Sequence, residues 1–313
     1  MLFDSHCHAW SRWPYDTAVP DAESRGSIEA LLYEMDTHGV ERAAVVCARI
    51  GGGRGGDGFG NDDNNEYVAR FAAAHPDRIT AVLDVDCVWR PEHHSSGAAG
   101  RLMASVERSN AIAFTHYVSA QNDGWFRSDD AGEFFRAAAD AGLIASLAVS
   151  APWFDDLRSV AAANPTLPIL IHHLGQPSSS AELDGLLALA AMPNIGVKAS
   201  GFNYNASRNW DFPYPESQAI FRSIVDGFGA ERLYWGSDFP ASRDQLSYRQ
   251  SIEVVRSHAD FLEPDQLTGI LGGNLAALIA QPRLATRPPT TDTATNTSTD
   301  PTATTPNRKV TEP

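Results

Sequence analysis

Basic charge, cysteine and long apolar runs are all scarce in this chain. Its 24 Lys and Arg face 39 Asp and Glu, a formal charge of −15. An acidic balance of this size argues against nucleic acid and against anionic membranes as partners. No stretch of roughly 18 apolar residues occurs, so no membrane span is expected. The N-terminus carries neither a basic n-region nor an apolar h-region, so no secretory signal is expected either. The three cysteines, Cys7, Cys47 and Cys87, are odd in number and lack metal-type spacing. All fall in strand-like runs and read as buried free thiols of a reducing, cytoplasmic compartment.

What the sequence does have is alternation. Of its 313 residues 43% are hydrophobic, ample for a core. Strands are expected at 2–8, 42–47, 79–86, 111–118, 143–149, 168–173, 195–200 and 233–238. A helical pattern follows each, and Ser27 heads the first as an N-cap. Eight strand–helix units predict one α/β domain over residues 1–281, a (β/α)8 TIM barrel. A doubly wound sheet is the alternative, because periodicity does not tell a closed sheet from an open one. Beyond Gln281 the chain turns to Thr, Pro, Asn, Ser and Ala, and 282–313 read as a disordered tail.

Candidate chemistry lies at strand ends. The first strand carries Asp4-Ser5-His6-Cys7-His8-Ala9-Trp10. Residues two apart share a face, so Asp4, His6 and His8 are expected to point inward together. Such a polar stripe is costly unless it serves a site. The sixth strand ends in His172-His173, which point opposite ways in a regular strand, so one of them should face the axis. The last strand ends Gly236-Ser237-Asp238-Phe239-Pro240 and offers Asp238 as a catalytic carboxylate. His116, on the fourth strand, is expected to reach the mouth. Lys198 reads as a structural ion pair, while Asn203, Tyr204 and Arg208 read as holding an anionic substrate. Trp10 joins His116, Asn203, Tyr204 and Arg208 as substrate-binding. His38, His75, His93 and His94 read as helix-end or loop residues without chemistry. Gly51 to Gly56 satisfies G-x-G-x-x-G but opens no helix, so it reads as a mobile loop over the mouth rather than a nucleotide site.

Taken in order, Asp4 to Trp10, His173-Leu174-Gly175-Gln176-Pro177, Val197-Lys198-Ala199-Ser200-Gly201, Gly236 to Pro240 and Gly272-Gly273-Asn274 resemble a known family. It is the amidohydrolase-2 family, in its branch of sugar-lactone and pyrone-dicarboxylate lactonases, and the resemblance covers about residues 1–280. It implies a (β/α)8 barrel that hydrolyses its substrate at the C-terminal mouth. It matches His6 and His8 to the first-strand pair, His173 to the sixth-strand His and Asp238 to the last-strand Asp. His172 stands where an Asp is usual. Metal-dependent relatives, decarboxylases included, usually add a fifth-strand His, but here that strand ends Ala148-Val149-Ser150. The fourth strand has Thr115-His116 where the lactonase branch often has an Arg.

The expected reaction is hydrolysis of a lactone, or of a related ester or amide, by activated water. Asp238 is the general base, His6 and His8 act at the carbonyl, and His173 orients the water. If a metal is bound, it is one divalent ion, zinc, on His6, His8 and Asp238; metal-free catalysis is the alternative. The alternative reaction is metal-dependent decarboxylation of an unsaturated or aromatic carboxylic acid. The expected partner is a small-molecule substrate, with neither nucleic acid nor membrane, and a homo-oligomer stays open.

Overall fold

A computed structural model describes residues 1–281. The tail expected at 282–313 lies outside them. Eight parallel strands follow one another around a single sheet. They are β1 (Phe3–His8), β2 (Arg42–Val46), β3 (Ile79–Asp84), β4 (Ala113–Tyr117), β5 (Ile144–Ala148), β6 (Ile169–Ile171), β7 (Ile195–Ala199) and β8 (Leu233–Trp235). Past β8 the chain returns to β1: the Asp238 N–H donates to His6 O at 2.7 Å and the His8 N–H to Phe239 O at 2.6 Å. The sheet is thus a nearly closed (β/α)8 barrel. The strand order never reverses, so there is no switch point of the doubly wound kind.

Helices separate the strands: α1 (Ile28–His38), α2 (Asn64–Ala74), α3 (Ala98–Ser109), α4 (Asp129–Asp140), α5 (Phe154–Ala163), α6 (Ser180–Ala188), α7 (Pro215–Phe228) and α8 (Tyr248–Arg256). Short α9 (Pro264–Thr268) and α10 (Asn274–Ala280) complete the described chain. None of these helices is long and apolar enough to cross a membrane. Ser27 caps α1 as expected, its hydroxyl accepting from Ala30 N at 3.2 Å.

Two apolar layers hold the barrel. Inside, Phe3, Ala44, Val46, Val82, Ala113, Ile144, Leu170 and Tyr234 fill the space below the mouth, with Leu275 of α10 packed against them. Outside, strand residues such as Val45, Leu83, Phe114, Leu147 and Ile171 meet Ile28, Leu102, Phe134 and Leu157 of the helices. Each large side chain so buried stabilises by about 1.5–3 kcal/mol.

Two departures from regular strands shape the mouth. Phe3 and Asp4 pair with Arg42 and Ala43, but Cys7 and His8 pair with Val45 and Val46, so β1 carries one extra residue between them. This bulge breaks the alternation. Asp4 turns outward, accepting from Ser237 N at 2.9 Å and from Tyr248 Oη at 3.1 Å, while His6 and His8 stay inward. The expected common face of Asp4, His6 and His8 is therefore corrected.

The sixth strand also stops early, at Ile171. His173, Leu174 and Gln176 follow in left-handed backbone, φ 50°, 57° and 47°. Alternation no longer applies past the strand end, and both His172 and His173 reach His6, with ring centroids 4.4 and 4.5 Å away. The expectation that only one of them faces inward fails for this reason.

Candidate active site

Three imidazoles converge on one buried carboxylate oxygen. Asp238 Oδ1 lies 3.5 Å from His6 Nε2, 3.4 Å from His8 Nε2 and 3.9 Å from His173 Nε2. Each ring is aimed by its other nitrogen. His8 Nδ1 donates to Val46 O at 3.0 Å, which leaves Nε2 a lone pair toward Asp238. His173 Nδ1 sits 3.0 Å from Ser200 Oγ. Trp10 stacks on His8 at 5.1 Å and is itself fixed by donating to Ala48 O at 2.7 Å. The Tyr204 hydroxyl donates to Asp238 Oδ2 in a short bond. Gly236 permits the close passage of this segment against β1, since a Cβ there would lie 2.6 Å from His6 Cβ. Gly201 (φ 64°) does the same beside His173, where a Cβ would sit 2.8 Å from the ring.

Lys198 reaches the same centre and is only 1% exposed. Its Nζ donates to Ser146 Oγ at 2.7 Å and lies 3.2 Å from His6 Nδ1. Ser146 Oγ in turn lies 2.6 Å from His172 Nε2. Lys198 is thus held by a hydroxyl and an imidazole rather than by the carboxylate of an ion pair. Burial pushes the Lys198 ammonium down to about 7 and His173 down to about 4. Burial, reinforced by the Lys198 charge, holds His6 well below the usual histidine range. Burial alone would raise Asp238, but His173, His6 and His8 outweigh it and keep the carboxyl well below its ordinary value. At neutral pH Asp238 is thus an ionised carboxylate, with the His6 and His173 rings beside it held neutral. The charge on Lys198 selects the His6 tautomer. An ammonium donates to Nδ1 and leaves the His6 proton on Nε2; an amine accepts from Nδ1 and frees Nε2 as a lone pair.

The donor set fits a divalent metal. His6 Nε2 is buried without a hydrogen-bond partner. His6, His8 and Asp238 each offer a ligand atom within 4.8 Å of the others. Two imidazoles and a carboxylate with a position to spare are a workable zinc set, and tetrahedral zinc separates its ligand atoms by about 3.3 Å. His6, His172 and His173 form a second, overlapping group.

The remaining candidates fall in different places. His116 is buried but turned away from the axis: Nδ1 donates to Val85 O at 3.0 Å, and the ring packs 5.5 Å from Trp125 and 5.7 Å from Phe134. Tyr117, not His116, is the β4 residue beside the centre, 5.1 Å from the His172 ring. The expectation that His116 reaches the mouth is corrected: it lies one residue out of phase. Arg208 is exposed in the β7–α7 loop. Asn203 is buried, its Oδ1 unpartnered. The glycine loop after β2 is tied to the loop after β1, with Gly58 N and Phe59 N donating to Pro14 O and Trp13 O at 2.8 and 2.9 Å. Sequence reasoning missed Ser146. Its signal was a lone hydroxyl in an apolar strand, inward because it pairs with the interior Leu170.

A cavity of about 370 Å³ opens beside the centre, lined by His172, His173, Tyr204, Tyr117, Ser150 and Gln176 among others. Ala148 and Val149, at the end of β5, form part of its wall. No Arg or Lys is among its lining residues.

Comparison with known proteins places this architecture. The chain is 34% identical over 130 residues to an L-fucono-1,5-lactonase of Burkholderia ambifaria, a match spanning 38% of this chain and 43% of that protein. It is 22% identical over 307 residues to an L-fucono-1,5-lactonase of Burkholderia multivorans, spanning 91% of this chain and 98% of that one. The first alignment thus covers less than half of its relative, the second nearly all. In three dimensions it superposes on the crystal structure of an amidohydrolase from Burkholderia multivorans with bound zinc. That match has a TM-score of 0.68 at 20% identity and covers 90% of this chain and 100% of that one. The Amidohydrolase family model matches residues 3–279, so the chain belongs to the amidohydrolase family and is a hydrolase.

Proposed function

We propose that this enzyme opens a lactone ring with water at the Asp238 centre, and that its substrate is an uncharged, hydroxyl-rich lactone of a sugar acid. The observation that carries this reading is the pairing of an ionised, buried Asp238 with a cavity that has hydroxyl and amide groups but no cation in its wall. An anionic substrate would need a basic partner there, and Arg208, assigned that role from sequence, is not in the lining. The names of the two lactonase relatives support the same class of bond.

In this scheme Asp238 Oδ1 takes a proton from the attacking water, and the new C–O bond forms as the ring ester's C–O bond breaks. The proton then passes to the leaving alkoxide. Tyr204 holds the other carboxylate oxygen, so Asp238 presents Oδ1 to the reacting water. His173 orients that water, and His6, whose proton lies on Nε2 while Lys198 is an ammonium, donates to the developing oxyanion. A divalent ion held by His6, His8 and Asp238 would supply carbonyl polarisation and a more acidic water. The buried free thiols of Cys7, Cys47 and Cys87 support a reducing, cytoplasmic setting for the reaction.

The test is a hydrolysis screen of neutral sugar-acid lactones and of pyrone dicarboxylates, with and without chelator, in wild type and Asp238→Asn. Turnover of neutral lactones that is lost in the variant is expected. Preference for the dicarboxylate would overturn the argument from charge. Carbon dioxide release from aromatic acids, without lactone turnover, would instead establish the metal-dependent decarboxylase.

A further inference from the structure

A second cluster of histidines lies outside the barrel wall, where the loop between β3 and α3 folds against β4. One ring nitrogen from each of His93, His94 and His116 lies within 4.8 Å of the other two. All three Nδ1 atoms are already engaged. His93 Nδ1 donates to Asp86 O at 2.6 Å, His94 Nδ1 to Asp123 Oδ2 at 2.6 Å, and His116 Nδ1 to Val85 O at 3.0 Å. A neutral imidazole has one proton, so each Nε2 is left as a lone pair.

Those lone pairs have no donor. His94 Nε2 and His116 Nε2 face each other at 3.1 Å, and His93 Nε2 is buried without a partner. Two acceptors at that distance repel. One added proton between His94 and His116 would relieve their contact but leave His93 orphaned. A single cation accepts all three lone pairs once the His93 ring, which stacks on His94 with centroids 3.6 Å apart, tilts so that its Nε2 points to the same centre. The 3.1 Å separation is close to the roughly 3.3 Å between ligand nitrogens on tetrahedral zinc. The surroundings are those of an oriented ligand set, with Nδ1 of each ring fixed by a carbonyl or carboxylate. Trp125 stacks on His94 at 4.3 Å, and His116 is fully buried. The loop is itself anchored, because Arg101 grips Asp86 through two bonds of 2.7 and 2.6 Å.

We infer that His93, His94 and His116 form a second divalent transition-metal site of the zinc class, independent of the Asp238 centre, which ties the β3–α3 loop to β4. The test uses the full chain, stripped with chelator and titrated with cobalt(II) alone. Bound metal per chain and the visible absorption band are both read. The double variant His93→Gln/His94→Gln should bind one equivalent fewer than wild type while retaining turnover. The variant His8→Asn should keep one tetrahedral cobalt equivalent. Equal binding by wild type and the double variant would overturn the inference. So would a His8→Asn protein that binds none, and this second readout decides the matter if the double variant does not fold. A histidine nitrogen spectrum at saturating cobalt that shows a proton shared between His94 and His116 would equally overturn it. The overturning results are all read from metal binding and ring protonation, not from lactone turnover, so failure here is separable from failure of the proposed reaction.

Discussion

The two histidine clusters are built from the same side chain and differ in what faces their free nitrogens. On the barrel axis, His6, His8 and His173 point Nε2 at Asp238 Oδ1, so a counter-charge stands at the focus. Outside the wall, the carboxylate of Asp123 sits behind His94, on Nδ1, and the focus itself holds only lone pairs. The axial cluster also has a buried amine, Lys198, and opens to a cavity; the outer one is packed by Trp125, Phe126 and Phe134. A carboxylate at the focus, beside an open cavity, gives the base of the proposed reaction. Aromatic walls around lone pairs make a closed ligand set. Identical side chains thus take different chemistry from their second partners.

The strongest way to break this contrast is Asp238→Asn. It should lower kcat on a turned-over lactone by about 10³-fold, within the range for loss of a positioned base, with an unchanged circular dichroism spectrum. A variant retaining more than a tenth of wild-type turnover would make the axial carboxylate dispensable. Next comes Ser146→Ala, which removes the hydroxyl between Lys198 and His172 and leaves both buried groups short of a partner. It should cost about 2 kcal/mol in urea unfolding. A negligible loss would mean that Lys198 does not depend on this hydroxyl. On the outer side, Arg101→Gln leaves the buried Asp86 carboxylate without its paired donors. About 1.5 kcal/mol of stability should be lost, with lactone kcat unchanged; a fall in kcat would show the clusters to be coupled.

The smallest effect is expected far from both clusters. On α8, Glu253 is held at about 2 by its bond to Arg256, below its ordinary 4.5. Because the folded value is depressed, the contribution is present above pH 4.5 and is lost as pH falls toward 2. The pair is screened by solvent, so Glu253→Gln should cost less than about 1 kcal/mol at neutral pH and less still in high salt. A larger loss, read from thermal unfolding across that pH window, would contradict this assignment as a surface pair.

Much of the barrel was legible because its signals are local. Apolar runs, caps such as Ser27 and the breaks between them depend on a few residues of backbone geometry. The H-x-H spacing places His6 and His8 together, whereas Asp4 lies on the other side of the β1 bulge between Asp4 and Cys7 and so takes the opposite face. His116 is out of phase with its expected direction because the phase of a strand is set by pairing with its neighbours, not by its own sequence. The register of β4 shows Tyr117 inward instead. The direction of His93 and His94 is not legible in the sequence, because a loop has no period.

By itself, then, the sequence determined the eight-unit alternation and the strand end that carries His6 and His8, while His173 and Asp238 lie just past strands that stop earlier than expected. Only the tertiary structure decided that His172 joins them, that Lys198 leans on Ser146 rather than on a carboxylate, and that a loop folds His93 and His94 onto His116. The physical reason is range. Periodicity records what the backbone does over a few residues, whereas these contacts join positions 22 to 192 apart, such as His94 with His116 and His6 with Lys198. Their directions are set by a bulge, a left-handed turn and a register that exist only once the ring has closed.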